Sequence, residues 1–241
     1  MKNRAWLSRT ELLIGEQNVE KLAQAHVLIV GLGGVGSFAA EFIARAGVGK
    51  MTIVDGDVVD PTNRNRQLQA LSSTHGLSKA DLMAQRIQDI NPEVQLEVIK
   101  EFLSPEKAYE IIEAAHYDYI IDAIDSLTPK LNLLIAAFRL QKRIISSGGA
   151  GGKTDPMQIE IADISKTHNC VFVQEIRKRL KKEKIYSGFD VVFSPEPPPK
   201  HALIMTDGNN YKHSAYGTLS YMPAAFGGVC ASKVITELIK A

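Results

Sequence analysis

Apolar and polar positions along this chain fall into blocks that switch between a strand-like and a helix-like period. His26-Val27-Leu28-Ile29-Val30 is a short, nearly continuous apolar run, and Lys50 to Val54, Tyr117 to Ile124 and Arg143 to Ser147 are similar. Each is bounded by turn residues and has the length of a buried strand. Between them apolar residues recur at helical spacing over Phe38 to Ala46, Leu77 to Ile90, Pro105 to Ala115 and Leu127 to Gln141, with a further strand at Gln95 to Ile99. Leu7 to Ala23 predicts two short helices broken at Gly15. Strands alternating with helices predict an α/β fold, Rossmann-like and doubly wound around a mainly parallel sheet. Beyond Gly148, Met157 to Ile161 and Val191 to Ser194 predict strands that extend the sheet antiparallel. Leu219 to Ala241 predicts a glycine-containing apolar segment and a closing helix. Pro195 to Pro199 and Asp207-Gly208-Asn209-Asn210 mark loops, and residues 175–210 are expected to be mobile.

The first strand runs directly into Gly31-Leu32-Gly33-Gly34-Val35-Gly36-Ser37 and then a helix. Such a turn either serves close packing of the helix or lets the backbone and the free N–H groups of the helix start meet a phosphate. Asp55 ends the second strand 24 positions after Gly31, about where this fold places an acid on a ribose hydroxyl. Glycines, strand context and acid together point to an adenine nucleotide. The polar stretch from Gly56 to Gln67 is a loop at the carboxyl end of a strand, where open α/β sheets bind ligands. In and after it, Asn63, Arg66 and Lys79 form either a solvated face or donors able to neutralise charge growing on phosphates. Asp122 and Asp125 follow a buried strand: they suit Mg²⁺ shared with substrate phosphates, or the cap of the next helix, Asp125 or Ser126. Gly148 to Thr154 lacks the first glycine of a phosphate loop, since Ser147 stands there; it is a turn, either substrate-facing or purely structural.

Charge sharpens the picture. The formal net charge is +1 with 23% charged residues, so nucleic-acid affinity would have to come from a local patch. One candidate is Arg177, Lys178, Arg179, Lys181, Lys182 and Lys184, either a solvated face or a contact for a phosphate backbone. Two cysteines, Cys170 and Cys230, with no C-x-x-C pair, suit a reducing, cytoplasmic setting and offer no structural zinc. No signal peptide opens the chain, and Ala224 to Ala241 stops short of a membrane span, so stable membrane insertion is not expected.

Gly31-x-Gly-Gly-x-Gly-Ser37, Asp55-Gly-Asp57, Asn63-x-x-Arg66-Gln67, Lys79 and Asp122-x-x-Asp125, in this order, resemble the adenylation domain of the ubiquitin-activating and molybdopterin/thiamine sulfur-carrier-activating family. The resemblance implies a single adenylation domain over 1–241, with a nucleotide-binding half to residue 150 and a substrate-facing half from 151. It implies ATP held by Gly31, Gly33, Gly34, Gly36, Asp55, Asp57, Asn63 and Gln67, Arg66 and Lys79 acting on its phosphates, and Mg²⁺ on Asp125. It also implies a homodimer in which Arg9, within Ser8-Arg9-Thr10, reaches the partner's site. From Gly148 onward the chain is similar to the branch that cyclises threonylcarbamoyladenosine in tRNA, which adenylates a carboxylate and closes a ring with loss of water. Arg177 to Lys182 would then touch tRNA. The alternative is adenylation of the C-terminus of a ubiquitin-like sulfur carrier, against which the missing C-x-x-C pairs count. Cys230 is then a small buried hydrophobe, or a sulfur acceptor linked to a cysteine desulfurase.

Overall fold

A computed structural model describes residues 5–205 and 214–240. Helices α1 (Ser8–Ile14) and α2 (Glu16–Gln24) precede strand β1 (His26–Val30) and are separated by Gly15, at φ +82°. There follow α3 (Gly36–Arg45), β2 (Lys50–Val54), α4 (Lys79–Ile90), β3 (Gln95–Ile99), α5 (Pro105–Glu113), β4 (Tyr119–Asp122), α6 (Leu127–Arg139) and β5 (Ile144–Ser147). The second half adds β6 (Glu160–Asp163), α7 (Val171–Lys182), β7 (Asp190–Phe193), a separate hairpin β8 (Leu203–Met205) with β9 (Ser214–Tyr216), and α8 (Tyr221–Lys240).

The seven-stranded sheet has the order β3-β2-β1-β4-β5-β7-β6. Strand growth goes outward from β1 to β3 and then crosses to β4, so the switch point lies between β1 and β4. Period-two alternation sends Val27, Ile29, Met51 and Ile53 to one face, under α2, α3, α4 and α8, and Leu28, Val30 and Val54 to the other, under α5, α6 and α7. With both faces covered, the strands read as continuous apolar runs.

Two expectations are corrected. The strand expected from Met157 starts at Glu160, because Pro156–Gln158 is a single 3-10 turn: Asp155 accepts the Met157 N–H at 2.9 Å, and Pro156 needs no donor partner there. The strand at Val191 is parallel, paired with β5; only β6, outside it, runs antiparallel within the sheet. The basic run lies on a regular helix, α7, whose Val173, Ile176 and Leu180 stripe is buried. Of residues 175–210, those to 205 include α7, β7 and β8, whereas the expected loop at Asp207 to Asn210 lies outside the described residues. The chain closes on one continuous helix, and α8 is, by length and composition, long and apolar enough to cross a membrane. Its Met222, Phe226, Cys230, Val234 and Leu238 stripe is buried in the core. Gly227 survives mid-helix because α3 presses on it: a β-carbon there would meet the Val35 carbonyl oxygen at 2.5 Å.

Candidate active site

The glycine loop is shaped by its neighbours. Gly31, at φ +88°, donates its N–H to the Val54 carbonyl at 2.8 Å. A β-carbon at Gly31 would lie 2.9 Å from the Ala123 carbonyl oxygen, one at Gly34 2.9 Å from Pro223 Cβ, and one at Gly36 1.7 Å from the Gly31 carbonyl oxygen. Gly33 differs, since its nearest neighbour would be Gln67 Nε2 at 3.9 Å. Packing therefore explains three of these glycines. The fourth stands just before α3, where N–H groups and the helix dipole favour an anion.

The carboxyl ends of β2 and its loop close around this turn. Asp55 accepts the N–H groups of Leu32 at 2.6 Å and Asp57 at 2.8 Å; burial pushes its carboxyl up, against the pull of Lys79 and those donors. Lys79 opens α4, is 5% exposed, and donates from Nζ to Asp57 Oδ2 at 3.0 Å. Asn63 accepts the Asp60 N–H at 3.1 Å, locking the loop's 3-10 turn. The Arg66 guanidinium rests on its own loop, donating to the Thr62 carbonyl and Asn65 Oδ1, both at 2.9 Å. Gln69, not singled out by sequence, donates to the Leu32 carbonyl at 2.6 Å. The Oε1 atoms of both Gln67 and Gln69 are buried without a hydrogen-bond partner. An unmet buried acceptor costs about 1–3 kcal/mol, and a site that leaves two beside a glycine loop is suited to a polar ligand that brings donors or ordered water.

Asp125 is exposed just past β4. Among the described residues no three His, Cys, Asp or Glu side chains cluster as a metal cage. That donor set fits only an ion that takes its remaining ligands from phosphates and water, as Mg²⁺ does. Asp122 is not available for it. Its carboxylate is fully buried, accepts Ser146 Oγ at 2.7 Å, and pairs at 2.8 Å with Lys130, itself fully buried on α6. Burial pushes the Asp122 carboxyl up, and Lys130 opposes that shift. Ser126 stands at the N-cap of α6 without a side-chain capping bond of its own.

The residues from Gly31 to Lys79 thus converge, and Asp125 joins them through the Ala123–Gly31 contact. Arg9 does not. It is exposed on α1, anchored where Leu7 packs over Gly47 near the amino end of β2, and five strand residues, about 13–17 Å, separate that edge from the glycine loop. The basic turns of α7 do not either. Phe172, at the start of α7, lies by Gly149 and under Lys130, but Glu183 at its end pairs with Arg139, at the end of α6, at 2.7 Å on the opposite edge of the sheet. Arg177 donates to the Thr167 carbonyl, Arg179 pairs with Glu175 at 3.0 Å, and Lys178, Lys181 and Lys182 face outward.

Sequence reading also missed a tie across the second half. Glu196 accepts from the Thr154 N–H and hydroxyl and from the Asp155 N–H at 3.0 Å, while Lys153, 4% exposed, donates to the Glu196 carbonyl. Burial raises the Glu196 carboxyl, but these donors and Lys153 outweigh it and hold it below the usual carboxylate range. The Gly148 to Thr154 turn is thereby strapped to the proline-rich loop.

The chain belongs to the ThiF family, whose model it matches over residues 7–241. It is 48% identical to the tRNA threonylcarbamoyladenosine dehydratase of Bacillus subtilis (strain 168), over 97% of this chain and 94% of that protein. With the protein of the same name from Escherichia coli (strain K12) it shares 36% identity, over 98% and 95%. The crystal structure of E. coli tRNA N6-threonylcarbamoyladenosine dehydratase in complex with ATP matches with a TM-score of 0.89 at 37% identity, covering 100% of this chain and 97% of that one.

Proposed function

We propose that this chain is an ATP-dependent tRNA threonylcarbamoyladenosine dehydratase. The observation that carries the reading is similarity running through both halves of the chain, at 48% identity over 97% of it, so that the substrate-facing half is included as well as the nucleotide-binding one.

The chemistry suits the residues. A carboxylate is a poor electrophile because its leaving group would be oxide. Transfer of AMP to the threonyl carboxylate, with release of pyrophosphate, creates a good leaving group. Attack by the carbamoyl group of the same side chain then forms the ring and expels AMP, which carries off the carboxylate oxygen; the substrate has lost water overall. Being intramolecular, that step benefits from a high effective concentration and needs no protein nucleophile. Gly33 and the start of α3 receive phosphate, Asp55 takes the ribose, and Asn63, Gln67, Arg66 and Lys79 supply fixed donors where charge grows during pyrophosphate departure. Asp125 would hold Mg²⁺, which supplies charge neutralisation between the phosphates. Arg9, remote from its own glycine loop, completes the site of a second protomer in a homodimer, and the outward face of α7 meets tRNA phosphates away from the reaction centre. A cytoplasmic location follows from the tRNA substrate and the unpaired cysteines. Cys230, fully buried with its thiol pushed up to about 12 by burial, is a packing residue in this scheme rather than a sulfur acceptor.

The test is pyrophosphate–ATP exchange with Mg²⁺, comparing no addition, tRNA bearing threonylcarbamoyladenosine, and a ubiquitin-like sulfur carrier. Exchange only with the modified tRNA, abolished by Arg66→Ala or Asp125→Ala, is expected; exchange only with the carrier protein refutes the reading. Charge reversal of Lys178, Arg179, Lys181 and Lys182 should lower tRNA affinity and flatten its salt dependence.

A further inference from the structure

Lys130 is among the largest fully buried side chains of the described residues, and it is a cation. Stability does not account for it: a buried ion pair is often replaceable by apolar side chains of equal volume at no loss, and Lys130 stands among Leu127, Leu131 and Leu134 on a stripe where leucine or methionine would pack. Its geometry is specific instead. Nζ lies 2.8 Å from Asp122 Oδ2, 3.0 Å from the Ile124 carbonyl oxygen and 3.5 Å from the Asp122 carbonyl oxygen. Asp122 Oδ1 in turn accepts the Ile124 N–H at 3.1 Å, and the Phe172 ring lies 6.0 Å from Nζ. The ammonium therefore grips both ends of the turn 122–124 from beneath. The upper side of that turn touches the glycine loop, where the Ala123 N–H donates to the Val30 carbonyl at 2.9 Å and its carbonyl crowds Gly31. The next residue is Asp125.

The geometry points to Lys130 as a positioning residue for Asp125: with Asp122 and Ser146 it fixes the backbone turn that presents the Asp125 carboxylate to the Mg²⁺ of a bound nucleotide. This rests on the reading of Asp125 given above. Lys130 touches neither nucleotide nor metal; its ammonium holds the carbonyl of the residue before the ligand, and its charge cancels that of Asp122 directly below the site.

Lys130→Met alone strands a buried carboxylate and tests folding more than positioning, so the informative protein is Asp122→Asn with Lys130→Met, which buries no net charge. ATP binding is measured calorimetrically in EDTA and across a Mg²⁺ titration, with thermal melts as the control for folding. The double variant should melt cooperatively and bind ATP in EDTA as the parent does, yet need about tenfold or more Mg²⁺ for half-saturation, the usual scale for removing a group that orients a metal ligand. Asp125→Asn should raise the requirement similarly in the parent and add little in the double variant. A folded double variant with the parental Mg²⁺ titration, or effects of the two changes that multiply, overturns the positioning role while the parent's ATP binding stands. A parent that binds no ATP overturns the reading of the site, and the positioning role with it.

Discussion

Gly33 and Gly36 are three residues apart in one loop, yet an added methyl should act on them in opposite ways. At Gly36 the new β-carbon would sit 1.7 Å from the Gly31 carbonyl oxygen and 3.0 Å from Ala123 Cβ, both fixed, so the loop and the start of α3 must move apart. Overpacking of a core costs about 1–3 kcal/mol, and backbone contact this close belongs at or above the top of that range. At about 2–4 °C per kcal/mol for a chain of this size, Gly36→Ala should lower the melting temperature by about 6–12 °C without nucleotide. At Gly33 only Gln67 Nε2 is near, at 3.9 Å, and the residue is not among those with positive φ. Gly33→Ala should leave apo stability within about 0.5 kcal/mol or raise it slightly by restricting the unfolded chain. What it should damage is approach of the phosphates: losing one backbone bond to a charged oxygen, about 1.5–3 kcal/mol, weakens ATP binding by about 10–150-fold. Thermal melts and calorimetric ATP titration of the two variants measure both quantities. Parental ATP affinity in Gly33→Ala, or a melting temperature lowered as in Gly36→Ala, refutes the separation of packing glycines from the phosphate-facing one.

Three further outcomes follow from side chains already placed. Glu41, 5% exposed, accepts from Arg86 at 2.6 and 3.0 Å and from Arg45 at 2.7 Å; burial raises its carboxyl but the two arginines outweigh it, so its pKa is lowered. A lowered acid stabilises above its unfolded pKa, about 4.3, and that stability is lost as pH falls through the lower folded value; Glu41→Gln should melt several degrees below the parent at pH 7, with the gap closing below about pH 4, and a gap unchanged at pH 3 contradicts the assignment. With its thiol pushed to about 12, Cys230 is ionised in about one molecule in ten thousand at pH 8, and Cys170 is buried as well; a disulfide reagent should therefore titrate both thiols only after denaturation, and rapid reaction of the native protein would count against Cys230 as a packing residue. If Arg9 acts across a dimer, inactive Arg9→Ala and Arg66→Ala proteins, re-equilibrated as subunits at equal amounts, should recover about a quarter of parental activity, one competent site per mixed dimer; no recovery despite subunit exchange removes Arg9 from the partner's site.

Sequence legibility followed how local each signal was. Strands β1, β2 and β3 were bounded to the residue, because apolar runs between turn residues carry their own limits. The glycines and Asp55 stood out by their place at strand ends, whereas Asn63, Arg66, Gln67 and Lys79 were grouped with them by the family resemblance rather than by any local period. Strand direction at Val191 was not, since it depends on α7 crossing back over the sheet, and six basic residues hid the Val173, Ile176 and Leu180 stripe that makes α7 a helix. Asp122 misled: a carboxylate at a strand end looks the same in sequence whether it faces a metal or a buried lysine. The signal that separates these cases was present, a lone lysine eight residues on within an apolar helical stripe. The tie from Glu196 to Thr154 and Asp155 joins residues over forty positions apart, beyond any periodic pattern.

Because Pro223 and Gly227 of α8 press directly on Gly34 and the start of α3, the back wall of the glycine loop is synthesised 189 positions after the loop itself. At about 5–20 residues per second, translation leaves α3 without that cover for about 10–40 s. During this interval the apolar inner side of α3 stays open to water, so the nascent chain is a natural client for ribosome-associated chaperones. A ribosome stalled before Tyr221 would hold a chain that has every residue of the phosphate loop and none of the support behind it.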